Sequence, residues 1–244
     1  MPRTSRSLIA GGHYHVVSRG NNRARLFDEP CDYDAFVELM AQAQLRHGLS
    51  VLAACVMPNH VHLVVNQVRP TDISRWMHWL LTTHSHRYHL RRETSGRVWQ
   101  GRFKAFPIEQ DDHVLTVMRY VERNALRAGL VHRAEDWAWG SLAWRHHGTQ
   151  PELLSAPPLA LPANWLTWVN SPQTSDELAA LRACVKHQRP YGSESWTTSE
   201  RERWRPQPSA RPRGRPRKAP GGQSPAAWPD TAKQVVLQCP GEME

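Results

Sequence analysis

Four cysteines are few for a chain of 244 residues, and Cys31, Cys55, Cys184 and Cys239 lie far apart with no C-x-x-C spacing. That excludes a zinc ribbon and a disulfide framework and fits a reducing compartment. No apolar run approaches bilayer-spanning length, and the N-terminal MPRTSRSLIAGGHYH has too short an apolar stretch for a secretory signal. A soluble cytoplasmic protein with no membrane partner is expected. The chain has no G-x-x-x-x-G-K-[ST] loop, so a nucleotide cofactor is not expected. Acidic residues are also in deficit: 22 Asp and Glu face 31 Lys and Arg, a formal charge of +9. A surplus of that sign points to a polyanion, most simply nucleic acid, without separating an enzyme from a passive binder.

What is present reads as one alternating α/β unit from about Gly12 to Ala143. HYHVVSRG (His13 to Gly20) has strand composition and runs into a Gly-Asn-Asn turn. Asp32 can cap a helix through FVELMAQAQLRH, with Gly48 just past its end. Val51 to Met57 and His60 to Val65 form two strands around a Pro58-Asn59 turn, and a second helix starts near Thr71-Asp72. RVWQGRFKAFPI is strand and loop, and Asp111-Asp112 cap a third helix that ends before Gly129. The order β-α-β-β-α-β-α predicts an α+β fold, a ferredoxin-like or RRM-like antiparallel sheet with helices on one face. The expected division is a nuclease-sized domain over 1–147, a proline-rich connector with short helices over 148–188, and a basic Pro/Arg-rich tail over 189–244. That tail cannot bury a core and is expected to be largely disordered.

The chemistry concentrates in MPNHVHLVV. On a strand, His60 and His62 point to one face, and Val61, Leu63 and Val65 to the other. On the third helix, at about 100° per residue, Val114, Met118, Val121 and Ala125 make the buried stripe, with Tyr120 and Asn124 one turn apart on its flank. If that helix lies over the histidine face, the imidazoles and the Asn124 amide oxygen could hold a divalent cation. The Tyr120 oxygen could then attack a phosphorus. Each residue also has a bland reading: packing for the tyrosine, a semi-buried polar pair for the histidines, a solvated residue for the asparagine. His13-Tyr14-His15 repeats the pattern and stays a geometric rival, though it lacks the apolar outer positions of a buried central strand. His84 and His86 are on a helix, about 200° apart, and cannot share an ion.

MPNHVHLVV, followed by MRYVERNALRAGLV and WAWGSLAW and preceded by HYHVVSRGNNRARLF, resembles the single-tyrosine HUH transposases of the IS200-like group, and within them the REP-associated tyrosine transposases. The resemblance covers roughly Gly12 to Trp144. It implies a metal-dependent single-stranded DNA nuclease and strand-transferase acting on hairpin-forming repetitive palindromic DNA. In that reading Tyr120 is the nucleophile that becomes a 5′-phosphotyrosine, and His60, His62 and Asn124 hold Mg²⁺ or Mn²⁺. It also implies bacterial nucleoid DNA as the target and a monomer, whereas self-mobilising relatives are dimers that contribute the tyrosine in trans. Where relatives commonly carry Asn-Pro this chain has Asn124-Ala125, which predicts a small change in the helix end rather than loss of the ligand. The rival is a catalytically silent palindrome-binding protein of the same fold. An RRM-like RNA binder would need exposed aromatics where His60 and His62 stand.

DNA contacts are expected in three places. Arg19, Asn21, Asn22 and Arg23 follow the first strand, where an ordinary solvated turn is the alternative. Arg97, Arg102 and Lys104 interleave with Trp99 and Phe103, which suits a charged groove with stacking platforms, although core packing explains the aromatics equally. Arg189 belongs to QRPYGSESW, which resembles a palindrome-reading segment of the subgroup. Arg213 and Arg215 belong to PRGRPRK, which matches an AT-hook core, a generic basic tail with salt-sensitive affinity being the simpler reading.

Overall fold

A computed structural model describes residues 8–203; Arg213, Arg215 and the PRGRPRK motif lie outside the described residues. Four strands, β1 (His13–Arg19), β2 (Ser50–Met57), β3 (His60–Asn66) and β4 (Lys104–Ile108), form one antiparallel sheet in the order β2-β3-β1-β4. Between them run α1 (Pro30–His47) and α2 (Asp72–Arg92), giving β1-α1-β2-β3-α2-β4. This is the expected ferredoxin-like arrangement. Right-handed crossovers from β1 to β2 and from β3 to β4 place α1 and α2 side by side on one face. There they cover Val61, Leu63 and Val65, all fully buried.

The other face is not open. α3 (Asp112–Glu122) packs across β2 and β3, so the sheet carries helices on both faces. This explains why β2 and β3 are buried nearly end to end. The apolar flank that keeps β2 and β3 in the core is matched on β1: Tyr14 and Val16 are each only 1% exposed. β1 is thus a buried central strand, which corrects the expectation that His13 and His15 lacked apolar support.

Helix ends follow local chemistry. α1 begins two residues before Asp32, with Pro30 at its first position, and Asp32 instead accepts hydrogen bonds from the Asp28 and Glu29 amides at 2.9 and 3.2 Å. Gly48 closes it in the left-handed region at φ 53°. Asp111 caps α3 by accepting from the His113 amide at 2.9 Å. The single third helix expected up to Gly129 is broken at Arg123, and α4 (Asn124–Arg127) continues it.

Residues beyond 147 fold back on α3. α5 (Ser141–His147) and α6 (Trp165–Asn170) meet at the buried Glu122 carboxylate, which accepts from Ser141 Oγ at 2.6 Å and Trp165 Nε1 at 2.8 Å and pairs with Arg145. Arg145 also donates to the carbonyl of Leu52, the residue extruded where the β2–β3 register shifts. Arg119 and Arg123 donate to the carbonyls at the end of α6, where a helix presents unpaired acceptors. After α7 (Ser175–His187) the chain stays folded past the expected tail boundary. Tyr191 pairs in parallel with the edge strand at Ile108, and α8 runs over Glu194–Arg203. Among the described residues no helix is long and apolar enough to cross a membrane.

Candidate active site

β1 and β3 are the two central strands, and their register sets the site. Val17 faces His62 and Arg19 faces His60 across the pair, so His15, Val17, His60 and His62 share the α3 face. The His60 and His62 rings are 4.8 Å apart at 77°. Tyr120, two residues before the end of α3, sets its ring 6.1 Å from His62 and 6.0 Å from His15. The histidine pair and the tyrosine are therefore brought together within one chain.

The imidazoles are oriented. His60 Nδ1 lies 2.6 Å from Asn59 Oδ1, and that amide oxygen can only accept. His60 must carry its proton on Nδ1, which leaves Nε2 as a lone pair. His62 Nδ1 lies 2.8 Å from His15 Nε2, and the two rings stack at 5.0 Å. With the proton on His62 Nδ1, its Nε2 is likewise a lone pair. Each ring of the pair thus has the second partner that metal-binding histidines use to fix tautomer and direction.

Burial keeps these rings neutral. It lowers His15 to about 3, with Arg127 adding a smaller push. It lowers His60 to about 4, helped by Arg19 and Arg127. His62 falls well below its ordinary value, from burial first and then from His60 and His15. The neutral imidazoles of His60 and His62 are donors suited to a borderline cation and need shed no proton. Cys55, opposite His62 on β2, is pushed by burial to about 12 and is inert as a thiolate donor.

Asn124 is buried, but its oxygen is occupied. The Arg127 guanidinium donates to Asn124 Oδ1 and lies over the Tyr120 ring, 4.1 Å from the centroid. Asn124 Nδ2 and Arg127 Nη1 are both buried without a hydrogen-bond partner. The histidine pair therefore fits a divalent ion as it stands, while the third expected donor fits only once Arg127 leaves it. Sequence reasoning missed Arg127 and took His15 for a rival. A signal was available for Arg127, which stands three residues after Asn124 and seven after Tyr120 on the same helical face.

The other histidine and acidic groups have structural occupations. His84 sits among Phe27, Phe36 and Trp99 with ring distances of 5.4, 5.1 and 5.2 Å, and His86 is exposed. Glu109, Asp111 and His113 bring ligand atoms within 4.8 Å of one another. Asp111 there caps α3 and holds His113 Nδ1 at 2.6 Å, while Glu109 accepts from Ser193 N and Oγ at 2.5 and 3.1 Å. That hold needs Gly192, whose Cβ would meet Glu109 Oε2 at 2.6 Å.

Most of the expected DNA contacts gather at the His60 end of the sheet. The Gly20 amide donates to the Asn59 carbonyl at 2.8 Å, and only glycine fits, because a Cβ would meet the Ala24 carbonyl at 2.5 Å. Gln100 N donates to Arg19 O and Asn21 N to Val98 O, which brings 19–23 beside 97–100. Arg19, Asn22, Arg23, Arg97, Arg102 and Lys104 are exposed there and Asn21 is partly so. Trp99 and Phe103 are each only 6% exposed, so they belong to the core and offer no stacking platform. Arg189 is exposed but lies near Tyr191, at the opposite end of β4.

Residues 9–124 match the family model described as Transposase IS200 like. Two solved structures are similar. One is a REP-associated tyrosine transposase bound to a REP hairpin, with 19% identity over 67% of this chain and 96% of that one, at a TM-score of 0.49. The other is a crystal structure of a candidate transposase from Deinococcus radiodurans R1, with 16% identity over 50% of this chain and 96% of that one, at a TM-score of 0.36. No curated protein matches the chain.

Proposed function

We propose that residues 9–124, which match the family model described as Transposase IS200 like, form a transposase domain that cuts and rejoins single-stranded DNA through Tyr120, with His60, His62 and Asn124 holding Mg²⁺ or Mn²⁺. The observation that carries the reading is the placement of Tyr120 beside a pair of oriented, neutral histidines, its ring 6.1 Å from His62. The Tyr120 oxygen forms a bond to the scissile phosphorus as the 3′ oxygen leaves. The tyrosine proton goes to solvent and the leaving oxygen gains one, which gives a 5′-phosphotyrosine and a free 3′-hydroxyl. A second 3′-hydroxyl reverses the exchange and joins a new strand. Phosphodiester is traded for phosphodiester, so no nucleotide is consumed. A bound divalent ion would supply Lewis-acid polarisation of the phosphate. Asn59 holds His60 in the ligating tautomer, His15 holds the direction of the His62 ring, and α3 holds the tyrosine ring against them.

The substrate we assign is hairpin-forming repetitive palindromic DNA in a bacterial cytoplasm, on the strength of the sequence motifs. The exposed Arg19, Arg97, Arg102 and Lys104 beside the His60 end suit the backbone of the displaced strand. A monomer suffices, because Tyr120 lies on its own chain's histidines.

The test is a covalent adduct. Full-length protein incubated with single-stranded repeat DNA and Mn²⁺ is expected to give a protein–DNA band on a denaturing gel, absent in Tyr120→Phe. An adduct that persists in Tyr120→Phe removes the assigned nucleophile. DNA binding without any adduct leaves the silent palindrome-binding protein as the function.

A further inference from the structure

The Asn124 oxygen has two claimants, the Arg127 guanidinium and a divalent ion, and their like charges oppose sharing it. In this structure Arg127 holds it, and the same guanidinium rests on the Tyr120 ring at 4.1 Å. Two buried donors beside the tyrosine, Arg127 Nη1 and Asn124 Nδ2, have nothing to donate to. Leaving buried N–H groups unpaired costs free energy, so the arrangement is suited to a ligand that supplies acceptors. Arg127 is a permanent cation set against the Tyr120 ring. The missing partner is therefore an anion with several oxygens, and a planar guanidinium matches a phosphate diester.

We propose that Arg127 is a substrate-contacting residue that works by exchange: it gives up the Asn124 oxygen to the divalent ion and transfers its guanidinium to the scissile phosphate beside Tyr120. The inference rests on the metal-dependent reading above. Ion loading and phosphate binding are coupled because the charge of the ion drives Arg127 off the Asn124 oxygen, and the phosphate takes the freed guanidinium. Without the ion, Arg127 stays on Asn124 and the phosphate lacks its clamp. With the ion in place, returning Arg127 to Asn124 would set a cation against a dication.

Mn²⁺ affinity, measured by isothermal titration calorimetry on the full chain without DNA, tests the exchange through a double-mutant cycle. Arg127→Gln is expected to tighten Mn²⁺ binding roughly tenfold, the scale of one lost charge-assisted hydrogen bond. In an Asn124→Ala background the same substitution should change affinity much less, because the contested oxygen is gone. Equal gains in both backgrounds would mean through-space repulsion alone and would overturn the exchange, as would no gain in either. Far-UV circular dichroism checks that the variants fold, and Arg127→Lys, which keeps the charge without the fork, gives a second route to the cycle.

The DNA side is read with Tyr120→Phe to block cleavage. Arg127→Gln is expected to weaken single-stranded DNA binding about tenfold with Mn²⁺ present and far less without it. Equal losses in both conditions would overturn the clamp. If no variant binds Mn²⁺, Arg127→Gln included, the metal-dependent reading itself fails. If Mn²⁺ binds and the cycle shows no coupling, that reading stands and only the exchange fails.

Discussion

Both faces of the sheet bury histidine among aromatic rings, and the two groups differ in one respect. On the α1–α2 face His84 is 7% exposed, packed against Phe27, Phe36 and Trp99, and its Nδ1 has no partner. On the α3 face His62 is 4% exposed, and its Nδ1 is held by His15 while His60 and Tyr120 flank it. Burial drives both rings to the neutral form. Burial and a lowered basicity thus do not mark a site; orientation does. A ring among aromatics with no partner for Nδ1 fills volume, whereas a ring with one nitrogen held, beside a second imidazole and Tyr120, is oriented as a ligand's donor would be.

The sharpest way to break this contrast is to remove one ring from each face. His62→Ala should reduce adduct formation by at least about 10²-fold, because loss of a ligand exceeds the 10–100-fold typical of an orienting partner. His84→Leu should leave the adduct unchanged. Comparable losses on a denaturing gel would mean that both rings act through stability and that the orientation criterion fails. His15→Ala comes next. It leaves His60 and His62 in place but frees His62 Nδ1, so if that pair holds the ion, Mn²⁺ affinity should fall about 10–100-fold with the fold retained. An affinity unchanged by calorimetry would reduce His15 to packing.

The order of elements from β1 to α3 was legible in the sequence, and so was the shared face of His60 and His62, because a strand's period of two is geometric and needs no tertiary information. His15 was misjudged because a second H-x-H reads as a competitor until the antiparallel register sets it diagonal to His62. Arg127 stood in the same motif as Tyr120 and Asn124, and only the rotamer that folds it onto both reveals its part. Trp99 and Phe103 went the other way. An aromatic between arginines reads as a stacking surface, and the closing of the loop after β1 over 97–100 buries both. The docking of α6 onto α3 had no local signature, since it depends on arginines reaching the carbonyl end of a six-residue helix.

A smaller effect separates the two ends of β4. Lys104 is exposed at the end nearest His62, and Arg189 is exposed beside Tyr191 at the other. If the strand to be cut runs past the His60 end, Lys104→Ala should weaken single-stranded DNA binding a few-fold and lower the salt slope by about 0.7, the value for one backbone contact. Arg189→Ala should change it less in a nitrocellulose-filter titration across salt concentrations. The reverse order would move the DNA path to the Tyr191 end.

The smallest expected effect on chemistry carries an effect on acid stability. Burial lowers His84 from 6.5 to about 3. In the unfolded chain the ring protonates first as pH falls, so the unfolded state binds the extra proton and gains on the native state. Stability is therefore complete above about 6.5 and declines as pH drops toward about 3. His15 and His60, lowered from 6.5 to about 3 and about 4, lean in the same direction. His84→Leu removes one of the contributors and also the buried Nδ1 that lacks a partner, so at pH 7 it should cost little or add stability. Thermal unfolding at pH 7 and pH 5 should show a smaller drop for His84→Leu than for the wild type, with adduct formation at neutral pH unaltered. Parallel pH dependence in the two proteins would mean that His84 is protonated in the native core, and the distinction between the two faces would then lose its electrostatic half.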